Sequence, residues 1–189
     1  MFSKCISLEE LNLSNFNTKN VEDMGFMFNG YASLKELNLI HFNTENVTNM
    51  SNMFMFNGCK SLKELDLSNF SGKNLENIES MFSNCYSLKK LNLTNFYIDK
   101  PTSIGFMFYQ CRSVETLDLS NLHTKKINEI SYAFGDCVNL KELIIPNLKT
   151  CFGKNSYRPF DGCDSLIKIK SSDFQIKLAS IDICCCFIY

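Results

Sequence analysis

Six of the ten cysteines in this chain stand at one recurring position: Cys5, Cys59, Cys85, Cys111, Cys137 and Cys163, with Tyr31 filling the gap. A thiolate is a nucleophile or a metal ligand, so the spacing invites both readings. A zinc site needs four ligands in a tetrahedron at about 2.3 Å, and thiols lined up at strand spacing cannot provide that. A nucleophilic Cys needs a nearby base. The two histidines are His41 and His123, three repeats apart, which puts them on the order of 14 Å from each other along a stack. Disulfides between adjacent rungs are disfavoured because their Cβ vectors run parallel. The cysteines therefore read as small buried hydrophobes. Cys151 and the run Cys184-Cys185-Cys186 lie off the column. The run could accept a lipid, but no second anchoring signal accompanies it. No catalytic residue, metal or cofactor is expected.

The elements that position these residues come from an internal repeat, which has to be sought before any other signal. The dipeptide Met-Phe recurs, and aligning it gives units beginning at Met1, Met27, Met55, Met81, Met107, Ala133 and Pro159. Each interval is 26 residues except the second, which is 28 and holds the doubled pair Met53-Phe54 and Met55-Phe56. A two-residue insertion bulging at the surface explains that interval. In the first unit the pattern is Phe2, Cys5, Leu8, Leu11, Leu13, Asn15 and Phe16. The alternation Leu11-x-Leu13 predicts a short strand with one buried face, repeated at Leu37/Leu39, Leu65/Leu67, Leu91/Leu93, Leu117/Leu119 and Leu143/Ile145. After it, Val21, Met24 and Phe28, like Val47 and Met50, have the spacing of an apolar stripe on about two helical turns, with Thr18 and Thr44 as caps. Asparagines after the strand, at Asn15, Asn69, Asn95, Asn121 and Asn147, suit the turn away from the sheet, with His41 in that place in the second unit. The five Asn-x-Ser/Thr sequons, at Asn12, Asn46, Asn49, Asn69 and Asn92, are what an Asn- and Ser-rich repeat generates by chance.

One strand and one short helical segment cannot bury their apolar sides alone, so the units must stack. The expected fold is an α/β solenoid: a right-handed leucine-rich-repeat coil of about seven 26-residue repeats, its parallel sheet on the concave face, on the order of 30 Å along its axis. It covers residues 1–174, and 175–189 form a degenerate tail or cap in which Ile176, Leu178, Ile181 and Ile183 alternate as an extra strand does.

Residues alternating with the buried Leu face outward: Glu10 and Asn12, Glu36 and Asn38, Glu64 and Asp66, Lys90 and Asn92, Thr116 and Asp118, continuing to Glu142, Ile144, Lys168 and Lys170. They are the candidate binding residues, because solenoids recognise partners on extended concave surfaces. Such a broad face suits a protein better than a small molecule, which needs an enclosed pocket. With 19 basic and 20 acidic residues and no run of five or more like charges, the chain has no electrostatic footprint for nucleic acid or an anionic membrane surface. No apolar stretch approaches the roughly 20 residues of a membrane-spanning helix, and no basic-then-apolar leader follows Met1.

The stretch "NGCKSLKELDLSNF" at residues 57–70, with "NFNTKNVEDM" and "HFNTENVTNM", resembles the BspA-like class of leucine-rich repeat, from Met1 to about Phe174 and more weakly after Pro146, where Gly153 and Ser156 replace the Val and Met of the pattern. The resemblance implies a cell-surface or secreted protein that binds host, matrix or other cell-surface proteins, and it implies no catalytic residues. Met1 coincides with the Met of a unit, so an amino-terminal cap is missing and the chain reads as a fragment of something longer. Two other readings use the same repeats: an intracellular adaptor and a structural spacer.

Overall fold

The structure, a computed structural model, describes residues 5–50, 56–75, 77–98, 103–122, 127, 129–146 and 157–171, and the backbone of 175–177. Met53-Phe54, His123, Asn147, Cys151, Gly153, Ser156 and 178–189 lie outside the described residues.

The Leu-x-Leu segments form three-residue strands: β1 (Glu64–Asp66), β2 (Lys90–Asn92), β3 (Thr116–Asp118), β4 (Glu142–Ile144) and β5 (Lys168–Lys170). The middle residue of each points inward and its neighbours outward, as the period of two requires. Repeat-related residues pair in parallel: Leu65 opposite Leu91, Leu117 opposite Leu143, and Leu143 opposite Ile169. β6 (Gln175–Lys177) adds to β5 antiparallel. Among the described residues β1 and β2 make one ladder and β3 to β6 another. The earlier repeats keep the same register without a full strand, as Lys35 N–H donating to Glu9 C=O shows.

A turn follows each of the first five Leu-x-Leu segments. Phe16, Phe42, Phe70, Phe96 and Leu122 each donate their N–H to the carbonyl three residues back, at 2.9 to 3.0 Å. Two of the Asn amides serve here as expected: Asn69 Nδ2 donates to the carbonyls of Leu39, Ile40 and Phe42, and Asn121 Nδ2 to those of Leu93 and Thr94.

The α half of the expected class is corrected. The described residues contain no helix where Val21, Met24 and Phe28 have helical spacing, only single turns such as Met27 N–H to Met24 C=O and Met81 N–H to Ile78 C=O. The third residue of each such turn, Phe26, Ser80, Phe106 and Tyr132, is in the left-handed region with φ of 50 to 57°, which is incompatible with continuing a helix. The following N–H groups then bond the next repeat, as in Phe82 to Met107 C=O (2.9 Å) and Phe108 to Ala133 C=O (2.7 Å). Isolated parallel bridges at Asp23/Asn49, Ile98/Leu122 and Ser103/Glu129 mark the same rung-to-rung contact. Helices pack about 8–10 Å apart, wider than the roughly 4.8 Å of strand rungs, and here extended turns that bond rung to rung take their place. Thr18 and Thr44 are accordingly not caps. They are buried staples: Thr18 Oγ1 donates to Asn43 C=O (2.9 Å) and accepts from Asn43 N–H (2.8 Å), and Thr44 does the same with Ser71.

Apolar columns fill the interior. Phe28, Phe56, Phe82, Phe108, Phe134 and Phe160 stack ring on ring at 5.2 to 5.9 Å, and Phe42 stacks on Phe70 at 6.4 Å. Leu34, Leu62, Leu88, Val114, Leu140 and Leu166 form a parallel buried line.

Candidate functional site

Cys59, Cys85, Cys111, Cys137 and Cys163 are buried free thiols in line, as the repeat predicts, whereas Cys5 is exposed. Each buried thiol donates to a Phe carbonyl of the preceding repeat, from Cys59 to Phe28 C=O (3.3 Å) through Cys163 to Phe134 C=O (2.9 Å). Burial pushes all five thiols up, Cys59 and Cys137 to about 12. A thiol held protonated is a poor nucleophile and a poor ligand. Tyr31 takes the cysteine position in its repeat, and burial followed by the neighbouring Cys5 thiol pushes its phenol up. No well-aligned hydrogen bond holds its hydroxyl. Among the described residues no group of three or more His, Cys, Asp or Glu could hold a metal ion.

All ten candidate binding residues are exposed, and strand register sets their neighbours. Glu64 faces Lys90, and Asp66 faces Asn92. Lys90 Nζ lies 2.6 Å from Glu64 Oε1. An open groove of about 970 Å³ crosses β1 and β2 and is lined by seven of the ten: Glu36, Asn38, Glu64, Asp66, Lys90, Asn92 and Thr116. Glu10, Asn12 and Asp118 are not among the residues lining it.

Two rows on this face do different work. In the first, Asn12, Asn38, Asp66, Asn92 and Asp118 each accept, through Oδ1, the N–H of the residue two places on, at 2.8 to 3.1 Å. This is the side-chain turn that Asn and Asp make where a strand ends. Those oxygens are committed to the fold, and the hydrogen bonds from Ser68 hold the Asp66 carboxyl below its usual range. The second row precedes the strands and lies outside the residues that alternate with the buried Leu. There Lys35 pairs with Glu9 and Lys141 with Glu115, both at 2.7 Å, while Lys63 and Lys89 lie between them. Lys35, Lys63 and Lys89 all line the groove. Their shared step of 26 or 28 residues is the sequence signal that locates them. The hydrogen bond from Lys35 lowers the Glu9 carboxyl, and that from Lys141 lowers Glu115. Further along, Lys170 Nζ lies 2.5 Å from Glu142 Oε1, an ionic contact without good hydrogen-bond alignment, and Lys170 is the main cause of Glu142's lowered carboxyl. Exposed pairs of this kind contribute only about 0–1 kcal/mol each.

Among the described residues no helix is long and apolar enough to cross a membrane. Among curated proteins none matches the sequence. One similar solved structure is the crystal structure of a leucine rich cell surface protein from Faecalibacterium prausnitzii A2-165, 18% identical, with a TM-score of 0.48, covering 69% of this chain and 31% of that one. The family described as Mycoplasma protein of unknown function, DUF285, matches residues 1–116 and again 38–148, the repeats on which the BspA-like resemblance also rests. Two overlapping matches that together span residues 1–148 of 189 put this chain in that family of repeat proteins, the Mycoplasma proteins of unknown function, DUF285.

Proposed function

We propose that this chain is a non-enzymatic module of a surface protein: seven leucine-rich coils wound as one right-handed solenoid, holding a protein partner in the groove across β1 and β2. The observation that carries the reading is the groove itself, about 970 Å³ and lined by seven residues that the repeat turns outward. Its lining mixes charged and amide side chains with the leucines between them, the makeup of a recognition surface, and it is open rather than enclosed as a reaction pocket is. The buried thiols, the residues with the most chemistry to offer, are protonated and occupied by backbone carbonyls. Placement at a cell surface rests on the BspA-like resemblance.

The test is binding to a panel of purified extracellular-matrix and cell-surface proteins. Glu36→Trp and Thr116→Trp fill the groove from exposed positions. Glu22→Trp alters an exposed residue that does not line it. A partner held in the groove is lost to the first two variants and kept by the third. Equal binding by all three counts against the groove.

A further inference from the structure

We infer that the groove takes a carboxylate-bearing segment of its protein partner, gripped by Lys63 and Lys89. This rests on the groove being a protein-binding surface and goes beyond it by fixing the partner's chemistry. The row ahead of the strands runs Glu9, Lys35, Lys63, Lys89, Glu115, Lys141. Its two ends are internally neutralised, Lys35 by Glu9 and Lys141 by Glu115, each at 2.7 Å. In the middle two ammonium groups occupy successive rungs: the N–H groups of Lys89 and Lys90 both donate to Lys63 C=O, at 2.8 and 3.2 Å. Among the described residues no carboxylate lies within ion-pair distance of Lys63 or Lys89, although Lys89 is near enough to help lower the Glu115 carboxyl, and both lysines are exposed and line the groove. Like charges about one rung apart repel, and a carboxylate placed between them relieves the repulsion and gains two charge-assisted contacts.

The rest of the lining decides which kind of anion fits. Glu36 and Asp66 sit in the same groove, and Glu64 is already paired with Lys90. A polyanion such as a sulfated glycan or a nucleic acid would bring further negative charge against Glu36 and Asp66 and be repelled. A polypeptide can set one acidic side chain at Lys63 and Lys89 and offer amides or a cation to the acidic side. The width of the two-lysine patch, one pair of rungs, matches one or two adjacent acidic residues.

Binding of the full chain is measured for a fluorescein-labelled Gly/Ser peptide carrying two adjacent Glu, for the same peptide with Gln, and for sulfated dextran. The expected result is a Glu peptide bound about tenfold more tightly than the Gln peptide, weakening as salt rises from about 50 to about 300 mM. K63Q/K89Q removes that preference, and K141Q, whose lysine is already paired, keeps it. Circular dichroism melts confirm that each variant is folded. Equal binding of the Glu and Gln peptides, no binding of either, a preference untouched by K63Q/K89Q, or tighter binding of sulfated dextran would overturn the inference. If Glu36→Trp and Thr116→Trp abolish binding of a panel protein while K63Q/K89Q leaves it intact, the groove reading survives and the carboxylate inference falls. If neither set matters, both fall.

Discussion

Replacing Phe82 by Leu tests whether the phenylalanine column holds the repeats together. The ring is fully buried and stacks on Phe56 at 5.7 Å and on Phe108 at 5.2 Å, nearly parallel to both. Leu keeps most of the apolar burial and removes both stacked pairs, each contributing about 0.5–1.5 kcal/mol beyond area, so Phe82→Leu should cost about 1–3 kcal/mol. Phe82→Ala adds a cavity and should cost about 3–5 kcal/mol. Phe108→Leu also breaks two pairs, with Phe82 and with Phe134. The double variant breaks three pairs in place of four, because one is shared. The double-mutant cycle should therefore fall short of additivity by about 0.5–1.5 kcal/mol. Urea unfolding followed by circular dichroism, with unchanged dependence on urea, reads all three. A Phe82→Leu loss below about 0.5 kcal/mol, or strict additivity with Phe108→Leu, would refute the stacked column as a source of stability.

Three further outcomes follow from particular atoms. Burial raises the Cys59 and Cys137 thiols from 9.0 to about 12, so below pH 9 folded and unfolded chains both hold these protons, and above it only the unfolded chain releases them. Stability present below pH 9 is then lost toward pH 12 at roughly 1 kcal/mol per pH unit per thiol, and Cys59→Ala/Cys137→Ala should flatten the slope by roughly 2–3 kcal/mol per pH unit, read from urea midpoints at pH 9.5 and 10.5. A Cβ at Gly72 would lie 2.5 Å from Tyr97 O and 2.7 Å from Ile98 Cγ1, while one at Gly105 meets nothing nearer than 3.5 Å. Gly72→Ala should cost about 1–3 kcal/mol in thermal unfolding and Gly105→Ala should be neutral or mildly stabilising. Asp118→Ala removes the acceptor of Ser120 N–H (3.0 Å) and should cost about 0.5–1.5 kcal/mol, yet leave binding in the groove unchanged, because Asp118 does not line it.

The strands and the buried columns were legible because they obey the shortest-range rule, alternation about Leu65, Leu91, Leu117 and Leu143, multiplied by a repeat that removes ambiguity of register. The helix expected after the strand was not, because Val21, Met24 and Phe28 satisfy a helical spacing while packing rung on rung. What separates the two is backbone conformation at Phe26, Phe106 and Tyr132, bulky residues that carry no sequence mark of a left-handed φ. The companion left-handed positions, Gln110 excepted, do carry one, since Gly30, Gly58, Asn84, Asp136 and Gly162 are the residues such turns favour. Outward orientation of the ten candidate residues was likewise readable from alternation. That Asn38, Asp66 and Asn92 spend an oxygen on the turn, and that Lys63 and Lys89 enter the groove, depends on where each strand stops.

The division between the two rows has a consequence for how such a stack recognises anything. The turn-forming row is nearly uniform, Asn12, Asn38, Asp66, Asn92 and Asp118, because Asn and Asp are the residues best suited to accept the N–H two residues on. A uniform row cannot distinguish one partner from another. The row ahead of the strands is free of that duty and changes sign along the chain, from Glu9 through Lys35, Lys63 and Lys89 to Glu115. Changes there move charge across the groove without disturbing a turn, a buried ring or a thiol. On the proposed reading, recognition falls where folding makes the fewest demands, and because specificity is a difference between partners, Lys63 and Lys89 on two adjacent rungs would weigh more than the pairs already closed around them.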